Sequence, residues 1–178
     1  MVRKTFMGKI DDDVIRKYRI FNVGERQFDF YLMVYLNSPD GWSKKGYFFE
    51  PVSQDPDIYI TLVSPETIEK KCGLPSNLSC AELGGRYLYL NSDRWFNGSK
   101  ESKLSLEDYR QYMVSHEIGH ILGHEHVKCP CVGCKAPIMM QQTLGIGKCI
   151  PNINVKLTKV LYRCFSLDLK KVTALLMV

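Results

Sequence analysis

Through roughly the first half of the chain, apolar residues come in short runs cut by turn chemistry. Residues 28–36 (FDFYLMVYL) are rich in aromatics, carry apolar side chains on both faces and stop at the turn-forming Asn-Ser-Pro-Asp-Gly of 37–41, which predicts a buried strand. Residues 58–63 (IYITLV), bounded by Asp55-Pro56 and Ser64-Pro65, predict a second strand, and residues 86–91 (RYLYLN), after Gly84-Gly85, a third. Between these two, Ser64 can cap a short helix with Pro65 at its first position, running to about Lys71 before Gly73 and Pro75 end it.

The clearest element follows. Ser105-Leu-Glu-Asp108 is a capping-box-like start with acidic residues in the first turn, where the helix dipole favours them, and it predicts a helix from about Leu106 to Leu122. Its stripe of Tyr109, Tyr112 and Met113 continues at helical spacing into His116 and His120, which turns both histidines inward. Gly123, free to take the left-handed conformation, ends the helix. From there to Pro151 the chain is rich in Cys, Pro and Gly, and little regular structure is expected. The tail, 154–178, alternates basic and apolar residues, a pattern that fits a closing helix or a strand equally.

With 178 residues and 45% hydrophobic content, the length suits one domain: an upper part of about 1–123 ending in the long helix, and a lower part of about 124–178. The net charge of +5 is spread along the chain without a long basic run, so no nucleic-acid partner is expected, and a monomer is. Residues 173–178 fall far short of the ~20 apolar residues that span a bilayer. Asp11, Asp12 and Asp13 interrupt the stretch where an export signal would need apolar residues, so the expectation is a chain that acts inside a cell or one whose signal has been removed. Seven cysteines, an odd number, leave at least one outside any intramolecular pairing.

The chemistry concentrates at residues 116–126, HEIGHILGHEH, which hold all four histidines of the chain. The stretch contains H-E-x-x-H-x-x-G-x-x-H. Residues four apart lie one above the other on a helix, so His116 and His120 can converge on one ion, and the turn at Gly123 brings His126 round as a third ligand. Three protein ligands leave a zinc ion one position open, which marks a catalytic site. Glu117, about 100° of helix rotation from His116, is aimed beside the metal, where a general base for hydrolysis of an amide bond belongs. His124 points off the ligand face.

These residues resemble the metzincins, zinc peptidases with a third histidine after the glycine and a methionine-containing turn beneath the metal. Ala-Pro-Ile-Met-Met-Gln-Gln-Thr, residues 136–143, resembles that turn, with Met139 or Met140 as the floor of the site. A closer likeness, over roughly residues 30–153, is to an uncharacterised metallopeptidase family best known from actinobacteria, a domain of unknown function. It rests on Gly41-Trp42, Cys72, Ser79-Cys80, Asn91, Arg94-Trp95, Tyr109-Arg110, the zinc motif, Cys129-Pro130, Ala136-Pro137, Gln141-Gln142-Thr143 and Cys149. The resemblance implies an α+β fold with a twisted mixed sheet, an active-site helix and a small irregular C-terminal subdomain. It also implies disulfides between Cys72 and Cys80 and between Cys129 and Cys149, a zinc endopeptidase activity and a protein or peptide substrate extended along an edge strand, for which Tyr87 to Asn91 is the candidate.

Two alternatives follow from the same residues. Cys129, Cys131, Cys134 and Cys149 have spacing that permits a second, structural zinc. A catalytically silent, zinc-stabilised interaction module would keep the fold without turnover, although a purely structural site has no use for Glu117.

Overall fold

A computed structural model describes residues 1–19 and 22–155 of the chain. Five strands form one mixed sheet in the order β2-β1-β3-β5-β4: β1 (Val2–Ile10), β2 (Tyr47–Pro51), β3 (Ile58–Val63), β4 (Cys80–Ala81) and β5 (Tyr87–Asn91). β1, β2, β3 and β5 run parallel, and only β4 is antiparallel to its neighbour β5. Ile58, Ile60, Leu62, Leu88 and Leu90 are buried almost completely, as strands covered on a parallel sheet must be.

Among the described residues five α-helices accompany the sheet: α1 (Asp12–Tyr18), α2 (Asn22–Leu36), α3 (Pro65–Cys72), α4 (Ser92–Asn97) and α5 (Leu106–Ile121). The second corrects the strand expected at 28–36. Phe28, Leu32, Tyr35 and Leu36 are buried while Phe30 and Val34 are exposed, a helical spacing of four, seven and eight inside a run too apolar to show its period. β1 supplies the floor for this helix. A Cβ at Gly8 would lie 2.8 Å from Leu32 Cδ1, so the glycine is what lets α2 approach the strand.

α3 starts as expected, with Ser64 Oγ accepting from Thr67 N–H at 3.3 Å, and ends at Gly73 in the left-handed conformation. The edge strands are β2 and β4, which corrects the proposal of Tyr87 to Asn91 as an edge: β5 lies between β3 and β4. Residues 123–155 carry one 3-10 turn, Gln142–Leu144, and one isolated bridge between Lys135 and Ile150. The tail from 156 onward, the segment left open between helix and strand, lies outside the described residues. No helix among the described residues is long and apolar enough to cross a membrane.

Among the described residues the six cysteines pair: Cys72 with Cys80, Cys129 with Cys149, and Cys131 with Cys134. The last two pairs replace the second structural zinc considered for Cys129, Cys131, Cys134 and Cys149, since a sulfur held in a disulfide has no thiolate to offer a metal.

Candidate metal centre

The site is built on α5, which Ser105 caps by accepting from Asp108 N–H at 3.1 Å while its own hydroxyl donates to the Asp108 carboxylate at 2.9 Å. From Tyr112 to Gly119 every residue of this helix is buried, because α2, α4, β4 and β5 pack on it and the 138–142 segment bonds to Tyr112 and His116. The helix closes in a Schellman arrangement: Gly123 N–H bonds to His120 O at 2.9 Å and His124 N–H to Gly119 O at 2.9 Å, with Gly123 at φ 85°. This turn reverses the chain, and Val127 N–H then bonds to Met139 O at 3.1 Å, which fixes the segment carrying His126.

His116, His120 and His126 come together. His126 Nε2 stands 3.1 Å from His116 Nε2 and 3.0 Å from His120 Nε2. Two nitrogens each ~2.0–2.1 Å from a tetrahedral ion are ~3.3 Å apart, so the spacing suits a metal, and the three form the one group among the described residues able to hold one. The protonation pattern suits it too. His116 Nδ1 bonds to Ile138 O at 2.8 Å and His120 Nδ1 to His124 O at 2.8 Å. A carbonyl can only accept, so both rings carry their proton on Nδ1 and present an Nε2 lone pair to the centre. His126 Nε2 can donate one proton and face one such lone pair; the other is left facing it without a proton, a conflict that a cation at the centre removes. Burial pushes His116 down to about 3, and it also lowers His120 and His126, so all three imidazoles are neutral near pH 7, the form that can bind a metal.

Glu117 lines the same cavity of about 210 Å³ as the three histidines. Its carboxyl is buried, its Oε2 has no hydrogen-bond partner, and burial pushes its pKa up to about 8. A buried carboxyl oxygen without a protein partner is costly to keep. Leu74, Leu78, Cys80 and Ala81 also line the cavity, a rim stapled by the Cys72–Cys80 disulfide. Asn91 ties that rim down by donating to Ser76 O and Leu78 O while capping α4 with its Oδ1.

Of the two methionines expected beneath the site, Met139 is the one packed against the helix. A Cβ on Gly119 would run into Met139 Sδ and come within 3.0 Å of Trp42 Cζ2. Met140 contributes main chain, its carbonyl accepting from the Tyr112 hydroxyl at 2.8 Å. His124 stacks on Trp42 with ring centroids 4.8 Å apart, while its carbonyl orients His120.

Sequence reasoning missed Gly119, Tyr112 as a hydrogen-bonding residue, and the carbonyls of Ile138 and His124. A glycine inside a strong helix is a readable sign of close approach, and it stood in the motif. The carbonyls have no sequence signature, because any residue supplies one.

No curated protein matches the chain. Among solved structures, that of archaemetzincin (AmzA) from Archaeoglobus fulgidus, complexed with malonate, is similar at 13% identity and a TM-score of 0.44, over 86% of this chain and 94% of that one. Residues 12–159, most of the chain, match the family described as "Protein of unknown function (DUF3152)", and to that family this chain belongs.

Proposed function

We propose that the protein is a zinc-dependent endopeptidase of the metzincin type, with His116, His120 and His126 as metal ligands and Glu117 as general base. One observation carries this reading: three imidazole Nε2 atoms converge beside a buried carboxylate whose Oε2 has no partner of its own. A zinc ion held by His116, His120 and His126 would supply a water whose pKa is lowered toward ~7 and a Lewis acid for a carbonyl oxygen.

The chain's residues do the rest. Glu117, inside the same cavity, takes a proton from the attacking water and delivers it to the leaving amine. Its raised pKa without a metal matches a base that needs a neighbouring cation to stay ionised near neutrality. β4 lines the cleft and is an edge strand, so an extended peptide can pair with it by main-chain hydrogen bonds and place a carbonyl over the histidines. Gly123 and Met139 serve the site by position, the first turning the chain back toward it and the second supporting α5 at Gly119.

Zinc content and cleavage of a peptide library, measured on the wild type and on Glu117→Ala, test this. One zinc per chain is expected in both, with activity lost by a factor of at least ~10² in the variant and abolished by a chelator in the wild type. Equal, chelator-insensitive activity in the two proteins would remove the proposal.

A further inference from the structure

The Tyr112 side chain lies on the wall of the cavity, four residues before His116, with its ring centroid 5.4 Å from the His116 ring. A tyrosine in such a place invites a catalytic reading, but its hydroxyl is already engaged on both sides. It donates to Met140 O at 2.8 Å and accepts from Gln142 N–H at 2.8 Å. Both bonds go to one turn, in which Met140 N–H bonds to Pro137 O at 2.9 Å, and Ile138, inside that turn, supplies the carbonyl that holds His116 Nδ1.

We infer that Tyr112 is a positioning residue for the metal centre: through Met140 O and Gln142 N–H it fixes the turn whose Ile138 carbonyl sets the tautomer and ring angle of His116. The inference rests on the metal-site reading above. The physical reason is that 137–142 belongs to no strand or long helix, so no ladder determines where Ile138 O sits. Main-chain bonds from Val127 N–H to Met139 O and from Ala136 N–H to Ile150 O anchor it in part, and side chains supply the rest. Tyr112 holds one end, and at the other Asn152 Nδ2 donates to Ala136 O at 2.8 Å. Because Tyr112 and His116 sit one turn apart on the same helix, the bond from Tyr112 to the turn and the bond from the turn back to His116 close a loop across a rigid element. Gln142 N–H also donates to Met140 O at 2.8 Å, so removing the hydroxyl leaves that pair bonded to each other but cuts the tie between the turn and α5, and lets Ile138 O drift from His116. A metal ligand deprived of its orienting partner typically loses ~10–100-fold in affinity.

The experiment measures zinc affinity by competition with a chelator, and the visible spectrum of the cobalt-substituted protein, for the wild type, Tyr112→Phe and Ile60→Val. The last is a control in β3 that lowers the melting temperature without touching the site. Tyr112→Phe is expected to weaken zinc binding ~10–100-fold and shift the cobalt bands, while Ile60→Val leaves both at wild-type values. Placing 4-aminophenylalanine at 112, which restores a donor to Met140 O, is expected to recover part of the affinity. If Tyr112→Phe does not fold, Asn152→Ala, which frees the same turn at Ala136, carries the test with the same expected loss. Wild-type affinity and an unshifted spectrum in the folded variant would overturn the inference while leaving the metal site standing. A wild type that takes up no zinc would remove both.

Discussion

The sheet and the segment 123–155 are rigid for different reasons. In the sheet, β3 pairs with β1 and β5 along its whole length, and Ile58, Ile60 and Leu62 are covered almost completely. Backbone polarity is satisfied by the ladder, and side chains are free to be apolar. In 123–155 there is no ladder beyond a single bridge, so side-chain amides replace it. Gln142 is the example: its Oε1 accepts from Asn152 N–H at 3.0 Å and its Nε2 donates to Asn152 O at 2.7 Å, as a neighbouring strand would. Asn152 in turn donates to Ala136 O and Asn154 O and accepts from Asn154 N–H. Both amides are buried. The difference teaches where damage should spread: in the sheet each residue supports the whole, whereas in the lower segment each polar side chain supports a named piece of backbone, and that backbone orients the histidine cluster through Ile138 O.

The largest effect tests the first half of that contrast. Ile60→Ala, at the middle of β3, is expected to cost about 3 kcal/mol by lost burial and the cavity left behind. Chemical denaturation should show one cooperative transition at a lower midpoint, and zinc affinity of the folded fraction should not change. A selective loss of zinc binding would mean that the sheet and the site are coupled more tightly than this account allows.

Asn152→Ala tests the second half. It strips Ala136 O and Asn154 N–H of a buried partner, at about 2 kcal/mol, within the range for orphaned buried groups. Hydrogen exchange is the measurement: amides of 134–142 should lose protection while those of β1, β3 and β5 keep theirs. Uniform loss across both regions would dissolve the distinction.

How far each region was legible follows from the same contrast. β3, α3 and α5 announce themselves through local chemistry: flanking prolines, a capping serine, a glycine stop. The histidine cluster did too, because helical spacing fixes His116 against His120 and Gly123 fixes the turn to His126. α2 was misread because its buried face, Phe28, Leu32, Tyr35 and Leu36, is hidden among other apolar residues, and because only packing against Gly8 of β1 decides which face goes in. β1 itself passed unread, since Arg3, Lys4 and Lys9 mask its inward Phe6 and Ile10. In the lower segment the decisive groups are main-chain carbonyls and two side-chain amides, and Gln142 and Asn152 carry no mark that separates a buried clamp from a solvated loop residue.

The smallest effect sharpens the comparison most. The sheet contains a side-chain clamp of its own: Asp57 Oδ2 accepts from Thr5 N–H at 2.8 Å and from Thr5 Oγ1 at 3.1 Å, while Asp57 N–H donates to Thr5 Oγ1 at 2.9 Å. It resembles the Gln142 and Asn152 clamp in form, yet it is exposed, so water competes for every partner and the worth of the charge is screened. The backbone N–H of Thr5 holds the Asp57 carboxyl below its ordinary value. A depressed carboxylate stabilises the fold above the unfolded pKa, ~3.9, and that contribution disappears as pH falls through the folded value. Asp57→Asn should therefore cost only ~0.5 kcal/mol at pH 7, and the difference between variant and wild type should begin to shrink as pH falls below ~3.9 and vanish below the folded pKa. A cost at pH 7 as large as that of Asn152→Ala would show that burial is not what separates the two clamps, and the contrast between the regions would have to rest on connectivity alone.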